Sequence, residues 1–165
     1  MKQIKLLGVM LVAAMTIGAA QAQSVDEVKQ KWQEAGELLN NKKLVDAIPV
    51  LDEVIRLGNA AGAEAADIVA DAQKYLPMCY QQKGADLYKA QKIDEAIAAF
   101  TKAGELAELQ GDVMMTRKMG RTVSQLYMMQ GISAFNAKDY AKALESFQKG
   151  REQDPDNVQL AYFTA

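Results

Sequence analysis

An all-α fold, an α-solenoid of about three antiparallel helical hairpins, is predicted by three features of the 165-residue sequence. Ala, Leu, Gln, Lys and Glu dominate, and these residues lose little side-chain freedom in a helix, while proline occurs only at Pro49, Pro77 and Pro155. Period-two alternation of apolar and polar residues is scarce, so no strand is expected. Finally, a pattern recurs: GELLNNKKLVDAIPVLDEV from Gly36, GADLYKAQKIDEAIAAFTKA from Gly84 and GISAFNAKDYAKALESFQKG from Gly131, with the glycines 48 and 47 residues apart. Each unit has a Gly, a polar turn, then an Ala followed four residues on by Leu51, Phe100 or Phe147. Two apolar-periodic stretches around one polar turn make a helical hairpin, and its repetition makes a stacked array.

The chain opens with MKQIKLLGVMLVAAMTIGAAQAQS. Lys2 and Lys5 form a positive head, Leu6 to Ile17 is uncharged, and Ala20-Gln21-Ala22 has the small-x-small form of a cleavage site. This is the grammar of a secretory signal peptide over residues 1–22, with cleavage after Ala22 and a mature chain that is periplasmic or secreted. The apolar stretch is too short for a comfortable span, so no membrane span is expected after cleavage; an uncleaved anchor is the alternative. No Cys lies near the cleavage point, which closes the lipoprotein route. Loss of Lys2 and Lys5 leaves 17 of the 19 basic residues against 21 acidic ones, a net charge of −4 that argues against nucleic acid as the main partner.

Residues 23–165 then read as one repeat domain, with repeats at about 25–60, 63–110 and 112–155 and the start of a further helix at 157–165. Gly36, Gly84 and Gly131 fall inside helical patterns, where each costs about 1 kcal/mol relative to Ala. That repeated cost points to close approach of the partner helix, with Ala47, Ala96 and Ala143 as the matching small face and Leu51, Phe100 and Phe147 filling the space a turn later. Cys79, the one cysteine, sits in LPMCYQQ without a flanking cation and is expected to be a buried structural thiol.

The stretch from Tyr127 to Pro155 resembles a tetratricopeptide repeat, with Tyr127, Gly131, Ala134, Ala143, Phe147, Gly150 and Pro155 at that motif's spacings. The second unit matches at Tyr80, Gly84, Leu87, Ala96, Phe100 and Ala103, with Glu108 where the closing proline belongs. The first matches at Trp32, Gly36, Leu39, Ala47 and Leu51, is one residue short in its turn, and lacks the proline. The family's repeat is about 34 residues long. The surplus here lies in RLGNAAGAEAADIVADAQKYLP and ELQGDVMMTRKMGRTVS. Gly58 to Gly62 and Gly111-Asp112 read as breaks before long first helices at roughly 63–90 and 112–137, with Asp112 as an N-cap. Pro77 is expected to bend or interrupt the earlier one.

The resemblance implies a TPR-like superhelix that binds a protein or peptide, of unknown identity, on a concave face lined by its first helices. Carried over by position, that face is Gln30, Gln33, Glu37 and Asn40, then Met78, Gln81, Ala85 and Tyr88, then Gln125, Met128, Ile132 and Phe135. Helical spacing extends the last group backward to Arg121 and Lys118, making a face apolar at one end and basic at the other. Two readings of Met128, Ile132 and Phe135 stay open: a peptide groove, or core covered by a following helix. Some members of the family grip a C-terminal carboxylate with a Lys and an Asn one turn apart. The comparable pairs, Gln33 with Glu37 and Gln81 with Ala85, cannot do so.

Catalysis finds no constellation. The sequence has no His, and its acidic pairs, Asp52-Glu53 and Asp94-Glu95, point about 100° apart on a helix rather than converging. No enzyme activity, metal or cofactor is expected. Residues 45–111 carry 11 acidic and 6 basic side chains, and 112–153 carry 4 and 7, an asymmetry that could orient an acidic partner or drive contact between copies. Other readings are a structural or self-assembling module, or a carrier for a small molecule. In DPDNVQLAYFTA, Asp154 to Asn157 start a helix whose Leu160, Tyr162 and Phe163 are apolar. Either that helix docks on the third hairpin or the array continues past Ala165, and its apolar character favours continuation.

Overall fold

The computed structural model describes residues 24–165, and helices account for nearly all of them. The signal peptide and its cleavage point after Ala22 lie outside the described residues. Helix α1 covers 24–40 and α2 is Leu44–Ala61. A 3₁₀ turn, Gly62–Ala65, leads into α3, Ala66–Lys89. The remaining helices are α4 Ile93–Leu109, α5 Val113–Asn136, α6 Tyr140–Gln153 and α7 Val158–Phe163. No strand occurs among the described residues, and the fold is an all-α helical repeat. The elongated repeat is explained by α3 and α5, each of 24 residues. Where one domain was expected, packing divides the chain into two compact units, the first ending at Tyr75 and the second running Leu76–Ala165.

One turn design ends α1, α3 and α5. Lys42, Gln91 and Lys138 adopt left-handed φ of 59°, 62° and 63°. The next amide donates back to the carbonyl five residues earlier: Lys43 to Leu38, Lys92 to Leu87, Asp139 to Ala134, each at 2.9 Å. This is the Schellman arrangement, which satisfies carbonyls that a helix end leaves open. The stop after α4 repeats it with Gly111 at φ 73° and Asp112 N donating to Ala107 O. Asp112 then caps α5, its Oδ1 accepting from Met115 N at 2.9 Å, as its place after Gly111 predicted. Asp139 caps α6 in the same way, whereas Lys43 and Lys92 in the corresponding positions supply no side-chain cap.

Counting from these turns corrects the register of the first hairpin. Seven residues before Gln91 and Lys138 stand Gly84 and Gly131; seven before Lys42 stands Ala35, fully buried, and not Gly36. The turns are equivalent, so the apparently missing residue came from aligning on the wrong small side chain. A Cβ on Gly84 would lie 2.7 Å from Phe100 Cδ1, and on Gly131 it would overlap the Phe147 ring. Around Gly36 there is nothing within 4 Å. It is therefore the ring of the second helix, rather than its backbone, that requires glycine. The first hairpin has Leu51 at that place and tolerates the methyl of Ala35.

In the first unit, Val28, Ala35, Ala47, Leu51, Val54 and Ala72 are fully buried. Gly58 is helical and not a break: α2 continues to Ala61, and a Cβ on Gly58 would overlap Val69 Cγ2. The chain turns at Gly62, whose φ of 82° with ψ of −147° is essentially reserved for glycine. Nor does Pro77 interrupt α3. A proline removes one helical hydrogen bond, but Leu76 and Cys79 beside it are buried and hold the turn in place.

The second unit carries two apolar clusters. Ala96, Ile97, Phe100 and Ala103 of α4 meet Met119, Val123 and Leu126 of α5. Ala134, Ala143, Phe147 and Leu160 join α5, α6 and α7. Leu160 is fully buried and Phe163 stacks on Phe147 at 4.6 Å, so α7 docks back on α6.

Replacing Gly36 by Ala should raise unfolding free energy by about 0.5–1 kcal/mol through helix propensity alone. Gly131→Ala should lower it by about 1–3 kcal/mol because the Phe147 ring must move. Urea denaturation of the two variants checks both signs.

Candidate functional site

The residues carried over from the sequence fall in both compact units. In α1, Gln33, Glu37 and Asn40 are exposed. With the register set by the turn, the positions equivalent to Gln81 and Tyr88 are instead Trp32 and Leu39, one residue earlier and about 100° around the helix. Trp32 is one of the residues that carry the first unit's resemblance. It is half-buried, and its ring meets that of Tyr75 with centroids 6.0 Å apart. The signal that would have found it is the distance from each residue to its turn.

In the second unit, Met78 and Tyr88 are exposed, Gln81 is half-buried, and Ala85 packs against the α4–α5 cluster. Thus part of the expected binding face of α3 is covered by the next hairpin. The same covering begins on α5 and stops. Met128 packs against the cluster that contains Leu160, while Ile132 is 41% and Phe135 56% exposed. Helix α7, of six residues, packs through Leu160 beside Met128. Met128 is thus partly core, while Ile132 and Phe135 are exposed.

Around the uncovered end, Phe135 meets Tyr140 edge-on at 5.4 Å. Tyr140 and Leu144 lie four residues apart on α6 and are exposed, as are Tyr162 and Phe163 on α7. At the other end of α5, Lys118, Arg121 and Gln125 are exposed and line a cleft of about 590 Å³ with Asp112, Met114, Met115, Arg117 and Thr122. The stripe Met114, Lys118, Arg121, Gln125, Met128, Ile132, Phe135 advances by four and three residues alternately, so it stays on one face along the helix.

A hydrogen bond from the Arg56 guanidinium holds the Glu53 carboxyl below its ordinary range, and one from Lys149 does the same for Glu145. Asp94 accepts from Gln130 Nε2 at 2.6 Å, a bond that joins α4 to α5, and Glu95 pairs with Lys92. Each of these four carboxylates thus has a partner of its own. Among the described residues no group of three or more His, Cys, Asp and Glu is placed to hold a metal ion, and no helix is long and apolar enough to cross a membrane. Cys79 is fully buried, and burial pushes its thiol up to about 11.

Comparison with known proteins places a tetratricopeptide repeat at residues 124–157, from inside α5 to the N-cap of α7. The first half of α5, Val113 to Val123, lies outside it as an addition of about three turns. The DnaJ homolog subfamily C member 3 homolog of Dictyostelium discoideum is 26% identical over 141 residues, covering 86% of this chain and 23% of that protein. The Hsp70-Hsp90 organizing protein 2 of Arabidopsis thaliana is 29% identical over 101 residues, 48% of this chain and 18% of its own length. The Hsp70-Hsp90 organizing protein 1 of Glycine max is 30% identical over 101 residues, with the same 48% and 18% coverage. The chain spans less than a quarter of the length of these curated relatives. No solved structure matches at a significant level.

Two outcomes follow from the geometry. Met128→Ser should lower stability by about 1–3 kcal/mol and Ile132→Ser by no more than about 0.5 kcal/mol, read from thermal melts of both variants. The raised thiol pKa stabilises the fold fully below the unfolded value near 9 and loses its effect as pH climbs toward 11. At pH 8, a disulfide reagent should label Cys79 only as fast as the protein unfolds, and adding urea should make labelling immediate.

Proposed function

We propose that this chain is a non-catalytic scaffold that acts outside the cytoplasm and holds a partner protein on the exposed face of α5. The single observation that carries the reading is the uncovered apolar end of that helix, Ile132 and Phe135, beside Tyr140 and Leu144. Exposed apolar side chains gathered in one place mark an interaction surface more often than isolated ones do. The tetratricopeptide repeat at 124–157 and the names of the relatives, two of them organizing proteins for Hsp70 and Hsp90, support a role in binding proteins. A chaperone partner is not carried over with those names. The residue pairs one turn apart on the three first helices, Trp32 with Gly36, Gln81 with Ala85 and Met128 with Ile132, offer no Lys and Asn for a terminal carboxylate. Export rests on the leader at residues 1–22.

Pairing of two copies through the same face is the second reading, favoured by the adjoining aromatics Phe135, Tyr140, Tyr162 and Phe163. A photo-crosslinking side chain at Phe135, introduced in cells and followed by mass spectrometry, separates these readings. A scaffold yields an adduct with another protein. That adduct should disappear when Ile132 is also replaced by Ser, while the cooperative melt persists. Adducts of the chain with itself, together with a concentration-dependent mass in light scattering, would replace the scaffold reading with self-assembly.

A further inference from the structure

We propose that the segment bound on α5 carries carboxylates at one end and apolar side chains at the other, its carboxylates meeting Arg117, Lys118 and Arg121. This rests on the reading of α5 as the binding face and names the chemistry of its partner. Arg117, Lys118 and Arg121 take part in none of the ion pairs among the described residues. Elsewhere in the described chain, eight Lys and Arg side chains pair with a carboxylate three or four residues away in sequence. Helix α5 cannot offer that: its 24 residues, VMMTRKMGRTVSQLYMMQGISAFN, include no Asp or Glu. Arg117 and Arg121 are four residues apart and Lys118 and Arg121 three, spacings at which like charges repel.

No neighbouring helix relieves that repulsion by contact. Arg117 and Arg121 also border a second cleft, of about 550 Å³, whose walls include Glu105, Glu108, Glu152 and Asp154. None of these carboxylates forms an ion pair with either arginine among the described residues. On the other side, Lys118, Arg117 and Arg121 line a cleft with Met114, Met115 and Asp112, whose carboxylate caps α5 through Met115 N; Met114 is 80% exposed. An acidic segment lying there would relieve the repulsion and could rest apolar atoms on the methionines. From Lys118 to Phe135 the stripe is about 26 Å long at the α-helical rise, with Met128 half-buried beside α7 between its two exposed ends, and one short extended segment is long enough to reach both. The charges belong to the three turns that precede the 34-residue repeat, which gives that addition a role in choosing the partner.

The test uses the described chain and three fluorescein-labelled dodecamers, two peptides and one oligonucleotide, in anisotropy titrations at 50 and 300 mM NaCl. One peptide has four Glu followed by Leu and Phe residues, the second has Lys in place of Glu, and the third is a thymidine dodecamer in place of a peptide, to read non-specific polyanion binding. The Glu peptide should bind, weaken at least tenfold at the higher salt, and weaken at least tenfold in the Lys118→Glu/Arg121→Glu variant. Reversal at Lys138 and Lys142, which lie outside this cleft, should change its affinity less than twofold. Absence of binding, equal binding of the Lys peptide, tighter binding of the oligonucleotide, or equal loss from the two reversals would overturn the proposal. Crosslinks at Phe135 that persist in the Lys118→Glu/Arg121→Glu variant would leave the scaffold reading standing and remove only the acidic segment.

Discussion

The hairpins of this protein depend on a large side chain of the second helix resting where the first helix has almost none. Phe147 lies over Gly131 and Phe100 over Gly84, in space that a Cβ would fill. Both rings are buried, and each stands four residues beyond a buried alanine, Ala143 or Ala96. The first hairpin reaches the same end with Leu51 and Ala35. Packing of this kind is steric before it is energetic. Adding one carbon to the small side, or an aromatic ring to the first hairpin, would force the helices apart.

Such packing works only in the right register, and the turns set the register. Three residues that are not glycine, Lys42, Gln91 and Lys138, sit in the left-handed region, each followed by the same backward hydrogen bond from the next amide. Because the interval from turn to small residue is constant, each hairpin presents its small residue to the opposite ring. Ion pairs have little part in this. Those among the described residues connect side chains three or four residues apart in sequence, exposed to solvent, and do not tie one helix to another.

The same covering rule locates the open surface. Ala85 on α3 is partly buried against α4 and α5, and Met128 on α5 is partly buried beside α7. Beyond Met128, Ile132 and Phe135 are exposed to solvent. At the opposite end of α5 the added turns carry three cations and no acid. The helix is thus apolar and accessible at one end and basic and accessible at the other.

Much of this was legible in the residues. Helix-forming composition, the 47- to 48-residue recurrence, the Gly111-Asp112 stop and the spacing of Gly131, Ala143 and Phe147 determine helical hairpins with long first helices, because helix propensity, capping and i, i+4 periodicity are local properties. Local properties also made Lys118, Arg121, Ile132 and Phe135 one stripe. What they could not determine was which helix covers which part of it. Gly36 looked like Gly84 until the turn was in place, Gly58 looked like a break until Val69 lay against it, and Met128 looked like Phe135 until Leu160 packed beside it. Each of those outcomes depends on a side chain distant in sequence arriving at a particular helical face. Only the tertiary structure decides that, because exclusion of volume acts between helices and leaves no mark on the periodicity within one.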